Sequence, residues 1–94
     1  QAKSEKPENK NPAENDFVAL FSLGVEKFQQ NDLAGALACF ERSKLIRADF
    51  PPLWYNLGLV TGKLGHIDDA IGFLNMALQL DPAYREARAL RDGI

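Results

Sequence analysis

Apolar side chains recur at three- and four-residue intervals along most of the chain, which is the spacing of one face of an α-helix. Five such stretches follow one another. Their stripes are Leu20, Leu23, Gly24 and Lys27; Leu33, Ala36, Leu37, Phe40, Ser43 and Ile46; Trp54, Leu57, Gly58 and Thr61; Ile67, Ala70, Ile71, Leu74, Ala77, Leu78 and Leu80; and Tyr84, Ala87, Leu90 and Ile94. Alternation with a period of two is not sustained, so the sequence predicts an all-α fold.

The start of the fold is predicted from composition and cap residues. Residues 1–10 carry one apolar side chain, Ala2, among mixed charges, which predicts a disordered linker or tail. Residues 11–14 read Asn-Pro-Ala-Glu, an order that supplies an N-cap acceptor, a proline at the first helical position and a carboxylate soon after. We therefore expect a domain over 11–94, with a first helix that runs to about Gln30.

Turn and breaker residues separate the remaining helices. Asn31 and Asp32 suit a turn with cap chemistry, and the run 49–52 contains two prolines that break and restart the chain. Gly65 suits the left-handed residue that closes a helix. The fifth helix should begin after Asp81 and Pro82.

A shift of 34 residues superimposes the chain on itself, placing 17–50 on 51–84. The aligned pairs are Leu20 with Trp54, Leu23 with Leu57, Gly24 with Gly58, Ala36 with Ala70, Phe40 with Leu74, Ser43 with Ala77, and Ile46 with Leu80. We infer that Gly24 and Gly58 let the two helices of each hairpin approach closely, with Ala36 and Ala70 as small partners. Trp54, Leu57, Leu74 and Leu80 are expected to fill the surrounding space, and two hairpins should share one core.

At these positions the chain resembles the tetratricopeptide repeat (TPR) family. The second unit carries the better match, in Trp54-Tyr55-Asn56-Leu57-Gly58, Gly65, Asp69-Ala70-Ile71, Ala77-Leu78 and Leu80-Asp81-Pro82. The first unit departs at Leu20, Lys27, Asn31 and Ala48, where Trp, an aromatic, Gly and Pro are common. The resemblance implies two antiparallel helix-turn-helix hairpins, 17–50 and 51–84, stacked as a short right-handed solenoid.

The end of the chain differs from the start of a third unit. Arg88, Arg91 and Asp92 occupy the places of Trp54, Leu57 and Gly58 in the same register. Residues 82–94 are therefore expected to form a capping helix with a polar outer face. A longer solenoid that ends here is the alternative.

Charge and reactive residues indicate no chemistry. The net charge of −2 gives no electrostatic signature of nucleic acid or anionic lipid, and no apolar run reaches the length of a membrane span. Cys39 and His66 are the single cysteine and histidine, so a thiolate metal site and a His-based triad are poorly supported. His66 is expected at a turn or cap. We predict a soluble, non-catalytic protein without cofactor or metal, in an unassigned compartment.

The resemblance implies where a partner would bind. In TPR domains the first helices of successive hairpins line a concave groove, which by register would be formed here by Val18, Phe21, Val25, Phe28, Tyr55, Asn56, Leu59 and Lys63, with Ser22, Gln29, Pro52, Glu86 and Leu90 beside them. Some family members grip a carboxylate with Lys, Asn and Arg at these places, but only Asn56 matches that clamp. An amphipathic helix or apolar peptide segment is therefore the expected partner. Alternatively, residues 1–16 or the last helix fold over this face.

Two further functions remain open at the level of sequence. Two repeats are fewer than the ~3 usually needed for stability, and self-association through this face or an end of the stack would add burial. The chain would then be a homo-oligomerisation or assembly domain. It would otherwise be an accessory scaffold within a larger protein whose activity lies elsewhere.

Overall fold

A computed structural model describes the backbone of residues 12–94 and the side chains of residues 15–94. This part of the chain forms five α-helices and no strand: α1 Pro12–Gln29, α2 Leu33–Ile46, α3 Pro51–Lys63, α4 Ile67–Leu80 and α5 Arg85–Gly93. The predicted all-α class is confirmed. The disordered tail predicted for residues 1–10 lies outside the described residues.

The helices pair as two hairpins and a closing helix. α1 packs along α2, and α3 packs along α4. α1 also contacts α3, and α3 contacts α5, whereas α2 and α4 do not contact each other within the described chain. The hairpins are joined mainly where α2 packs on α3 and where α4 packs on α5; the odd-numbered helices touch one another lightly, and the even-numbered helices of the described chain do not touch. This difference in spacing makes the odd-numbered helices the inner side of the stack.

The two hairpin turns use the same backbone conformation at equivalent positions. Asn31 has φ 64° and Gly65 has φ 88°, so both lie in the left-handed region, as predicted for Gly65. Asp32 then caps α2 by accepting a hydrogen bond from the Gly35 amide at 3.0 Å. His66 takes the equivalent N-cap place before α4 without a side-chain cap bond, which confirms it as a cap residue.

Close helix contact within each hairpin depends on a glycine in the first helix. A Cβ on Gly24 would lie 2.6 Å from Cε1 of Phe40, and a Cβ on Gly58 would lie 2.7 Å from Cδ2 of Leu74. Both glycines are buried, as are the small residues Ala36 and Ala70. The predicted close approach at the glycine pair is therefore confirmed, but the side chains that face the two glycines are Phe40 and Leu74 and not the predicted Ala36 and Ala70.

Four residues of the predicted stripes are exposed, namely Leu23, Ile67, Leu80 and Ile94. Leu23 is 42% exposed because no helix in the described chain precedes α1 and covers its outer side, whereas the aligned Leu57 is fully buried. Leu80 is 39% exposed because it is the last residue of α4, where the chain leaves the hairpin. The buried residue of α1 that the predicted stripe omitted is Phe17, at 3% exposure.

The closing helix continues the register of the hairpins. Nε1 of Trp54 donates to the carbonyl of Ala48 at 2.8 Å, and one guanidinium nitrogen of Arg88 donates to the carbonyl of Pro82. Each donor reaches back six residues, and the two bonds occupy equivalent positions. Ala87 is the buried contact of α5, and Arg88 lies exposed. α5 thus packs like the first helix of a unit while presenting polar side chains outward.

Candidate functional site

The α1 side of the predicted groove is built on an aromatic cluster. The ring of Phe21 stacks on Phe17 with a centroid distance of 6.0 Å and meets the edge of Phe50 at 5.5 Å. Phe21 also lies 5.7 Å from Phe40 in the core. Phe50 comes from the connector between α2 and α3, so a loop residue supports the groove from one side. Phe21 is consequently half-buried and contributes to the fold as well as to the groove surface.

The other α1 residues of the predicted groove differ in exposure. Val25 and Phe28 are half-buried and pack against the core, while Val18 is 52% exposed. Ser22 and Gln29 are exposed beside them. The α1 face is therefore neither fully buried nor fully free, and Val18 is its most accessible apolar side chain.

On α3 the groove contains a second aromatic pair. Tyr55 lies 5.3 Å from Tyr84, which is the N-cap residue of α5. Burial raises the pKa of Tyr84 to about 12, and the charges of Tyr55, Glu86 and Asp81 act in the same direction. The Tyr84 hydroxyl therefore stays protonated near neutral pH, and this part of the groove presents neutral aromatic surface.

Asn56 is the one residue that matches the carboxylate clamp, and it is partly engaged within its own helix. Its Nδ2 donates to the carbonyl of Pro52 at 2.8 Å, and the side chain is half-buried. Near this end of α3, a recess of about 600 Å³ lies between the start of α3 and the α4–α5 connection, lined by Pro51, Pro52, Asp81, Ala83, Tyr84, Arg85 and Glu86. Its lining mixes both charge signs with the aromatic ring of Tyr84.

Leu59 and Lys63 line a second, more apolar recess between α3, α4 and α5. Its volume is about 370 Å³, and its lining residues are Gly58, Leu59, Gly62, Lys63, Ile67, Leu90 and Ile94. Gly62 leaves this recess open because it has no side chain. The space beside it is empty, since a Cβ placed on Gly62 would have only the Cβ of Ala70 within 4 Å, at 3.8 Å. Lys63 is exposed and is the charged residue of the lining. The recess combines an apolar interior with one cation.

Sequence reasoning missed Phe17 and Phe50, although a signal for both was present. Phe17 stands four residues before Phe21, the spacing at which aromatic side chains meet on a helix. Phe50 aligns with Tyr84 by the 34-residue shift, and Phe21 aligns with Tyr55, so the same aromatic pair recurs in both units. Comparing pairs of aligned positions would have predicted these contacts.

No group of three or more His, Cys, Asp or Glu side chains suited to a metal ion occurs in residues 15–94. Cys39 is buried, and His66 lies exposed with Nδ1 3.9 Å from a carboxylate oxygen of Asp69 in the first turn of α4. Within the described chain, no helix combines the length and apolar character needed to cross a membrane.

Comparisons with known proteins agree on the class. The family model described as Tetratricopeptide repeat matches residues 51–84. The structure of the first TPR of Spaghetti (RPAP3) bound to the HSP90 peptide SRMEEVD superimposes with a TM-score of 0.81 at 22% identity, covering 84% of this chain and 63% of that one. MamA superimposes with a TM-score of 0.74 at 23% identity, covering 81% of this chain and 50% of that one.

A TPR domain protein from Salinibacter ruber gives a TM-score of 0.68 at 22% identity, covering 82% of this chain and 89% of that one. At these identities the superpositions establish the fold. The chain spans less than two thirds of the Spaghetti and MamA structures. Residues 51–84 therefore match a tetratricopeptide repeat, and the described chain has the fold of TPR solenoids, which generally mediate protein–protein interaction.

Proposed function

We propose that this chain is a non-catalytic module that binds a partner protein in the groove of α1, α3 and α5, and that the partner segment is an amphipathic helix or an apolar peptide. The observation that carries the proposal is the apolar recess beside Leu59, which Gly62 keeps open. A partner side chain inserted there would be shielded by Leu59, Leu90 and Ile94 without displacing core residues. Burying an aliphatic or aromatic side chain in this way stabilises a complex by roughly 1.5–3 kcal/mol.

The rest of the groove supports an apolar ligand. Val18 adds an accessible aliphatic side chain on α1, and Tyr55 adds an aromatic ring on α3. Aromatic residues with one apolar body and one polar tip are common anchors at protein interfaces. Lys63 at the edge of the recess favours a partner segment with an acidic residue next to its apolar anchor.

The HSP90 peptide in the Spaghetti structure ends in acidic residues, and this groove has a different chemistry. Phe21 and Val25 stand where the family's clamp has its first Lys and Asn, and Glu86 and Leu90 stand where it has its last Lys and Arg. Capture of a carboxylate depends on charge-assisted hydrogen bonds from such cations. The remaining clamp residue, Asn56, already donates to Pro52. An apolar ligand therefore fits this groove better than a terminal carboxylate.

The experiment selects ligands without assuming their identity. A randomised peptide display library is selected on the 94-residue chain, and the enriched peptides are titrated by fluorescence anisotropy. We expect enriched peptides with apolar residues at helical spacing, and no measurable affinity for SRMEEVD. Peptides that depend on a C-terminal carboxylate would contradict the proposal.

A matched pair of glycine variants locates the binding site. Gly62→Leu fills the recess, whereas Gly72→Leu places the same side chain on a helical position with nothing within 4 Å. We expect Gly62→Leu to weaken peptide binding at least ~10-fold, the equivalent of about 1.4 kcal/mol, and Gly72→Leu to leave it unchanged. Equal affinity for both variants would exclude the recess as the site. Phe21→Ala is a poorer test because Phe21 also supports the aromatic cluster.

A further inference from the structure

The outer side of the first hairpin is an uncovered apolar surface. Leu23 on α1 is 42% exposed and Leu45 on α2 is 83% exposed. The positions of α3 that align with Ala19, Leu20 and Leu23 are Leu53, Trp54 and Leu57, which are 0%, 8% and 0% exposed. α2 covers that side of α3, and no described helix takes the same place before α1. We call Asp16, Ala19, Leu20, Leu23, Arg42, Leu45 and Ile46 the end patch.

The end patch carries one charge of each sign around its apolar centre. A recess of about 480 Å³ is lined by Asp16 and Arg42 together with Ala19, Leu20, Leu45 and Ile46. Within residues 15–94 neither Asp16 nor Arg42 makes an ion pair or a side-chain hydrogen bond. A surface that holds an acid, a base and apolar residues offers a second copy of itself both opposite charges and apolar area.

The equivalent side of α5 is polar and faces α4. On α5 the aligned positions hold Arg88, Arg91 and Asp92, and the two arginines already donate to Pro82 and Asn75. A second end patch supplies both an apolar surface and opposite charges.

We propose that two copies of this chain associate head to head through their end patches. Leu45 of each copy packs on Leu20 and Leu23 of the other, and Asp16 of each copy pairs with Arg42 of the other. The contact buries apolar area that the fold itself leaves in water. It involves the outer side of the first hairpin, so the groove recess beside Leu59 stays open in the dimer.

Sedimentation velocity of the 94-residue chain, from about 1 μM to about 1 mM, tests the association, because small interfaces of this kind are weak. We expect a reversible monomer–dimer equilibrium. Leu45→Gln should raise the dissociation constant at least ~10-fold, since the change occurs twice in a two-fold dimer. Leu80→Gln is the control, because Leu80 is 39% exposed, close to the exposure of Leu23, but is the last residue of α4. A monomer over the whole range, or an equal effect of both variants, would overturn the proposal.

Charge exchange tests the head-to-head geometry. Asp16→Arg alone and Arg42→Asp alone each place like charges together in the dimer and should weaken it. An equimolar mixture of these two variants restores both opposite-charge pairs, as does the double variant, so each should associate more tightly than either single variant. A mixture that associates no better than its components would show that Asp16 and Arg42 do not meet across the contact.

Discussion

The ring of Tyr55 lies 5.3 Å from the ring of Tyr84, and 34 positions earlier the ring of Phe21 lies 5.5 Å from the ring of Phe50. In each unit, an aromatic residue of the first helix meets an aromatic residue at the N-cap of the next odd-numbered helix. The connector between successive hairpins is thereby attached to the groove side of the fold. The groove wall and the junction between units therefore share the same side chains.

The stability of the fold should depend on the protonation of Tyr84 at high pH. The pKa of Tyr84 is raised from 10.0 to about 12, mainly by burial. As the pH rises, the unfolded chain loses the Tyr84 proton before the folded chain does. The stabilisation of the folded state by protonated Tyr84 is therefore complete below pH 10.0 and is lost towards about pH 12. When denaturant unfolding is measured from pH 8 upward, the free energy of unfolding should fall less steeply with pH for Tyr84→Phe than for the native chain. Identical slopes would mean that Tyr84 is not the titrating group.

Gly24 and Gly72 should respond in opposite ways to the same substitution. Gly24→Ala places a carbon against the buried ring of Phe40, and overpacking of this kind costs about 1–3 kcal/mol. Gly72→Ala meets nothing within 4 Å and should stabilise α4 by about 0.5–1 kcal/mol. Thermal unfolding, monitored by circular dichroism, measures the stability change of each variant. If Gly24→Ala raised the melting temperature, the close approach of α1 and α2 would be refuted.

The left-handed turn residues give a second matched pair. Gly65→Ala should destabilise the domain by about 1 kcal/mol through backbone conformation alone, because no atom lies near its Cβ position. Asn31→Gly should be neutral or stabilising, since Asn31 already has φ 64° and glycine adopts that conformation without a Cβ penalty. Urea titrations of the two variants measure the difference. A clear loss of stability in Asn31→Gly would instead point to a role of the Asn31 side chain.

The equivalent hydrogen bonds of Trp54 and Arg88 should differ in their effect on stability. Trp54 is 8% exposed and donates to Ala48, so Trp54→Phe loses a hydrogen bond and packing volume and should cost about 1–3 kcal/mol. Arg88 is exposed, and Arg88→Ala should change stability by less than about 0.5 kcal/mol. Unfolding monitored by far-ultraviolet circular dichroism suits both variants. If Trp54→Phe and Arg88→Ala lost similar amounts of stability, α5 would contribute as much to the stability of the fold as a helix of a hairpin.

Much of the fold followed from local patterns. The helix stripes, the glycine contacts and the turn at Gly65 depend on spacing and backbone conformation, both of which are visible in sequence. Lys27, a departure from the family pattern, is accommodated by Asp32, whose carboxylate lies 3.5 Å from its ammonium. The exposure of Leu23 was not predictable from spacing, because it depends on whether another helix precedes α1. The support of Phe21 by Phe50 depends on the path of a connector, which helical periodicity does not describe.

The groove residues were assigned by family register, and the chain's own geometry refines that assignment. Leu59 and Lys63 line one apolar recess together, whereas Phe21 is partly used by the core. A glycine at position 62 looks like an ordinary helix residue in sequence. Its effect on the recess depends on α4 and α5 standing around it, which only tertiary structure shows.

The central claim is that a partner segment occupies the recess between α3, α4 and α5. The most direct measurement is a ¹H–¹⁵N chemical-shift titration of the chain with a peptide enriched by display. We predict the largest shift changes at Leu59, Gly62, Leu90 and Ile94. The dissociation constant fitted to these changes should equal the one measured by anisotropy. Largest changes on α1 or α2, which contribute no residue to the lining of the recess, would contradict the claim.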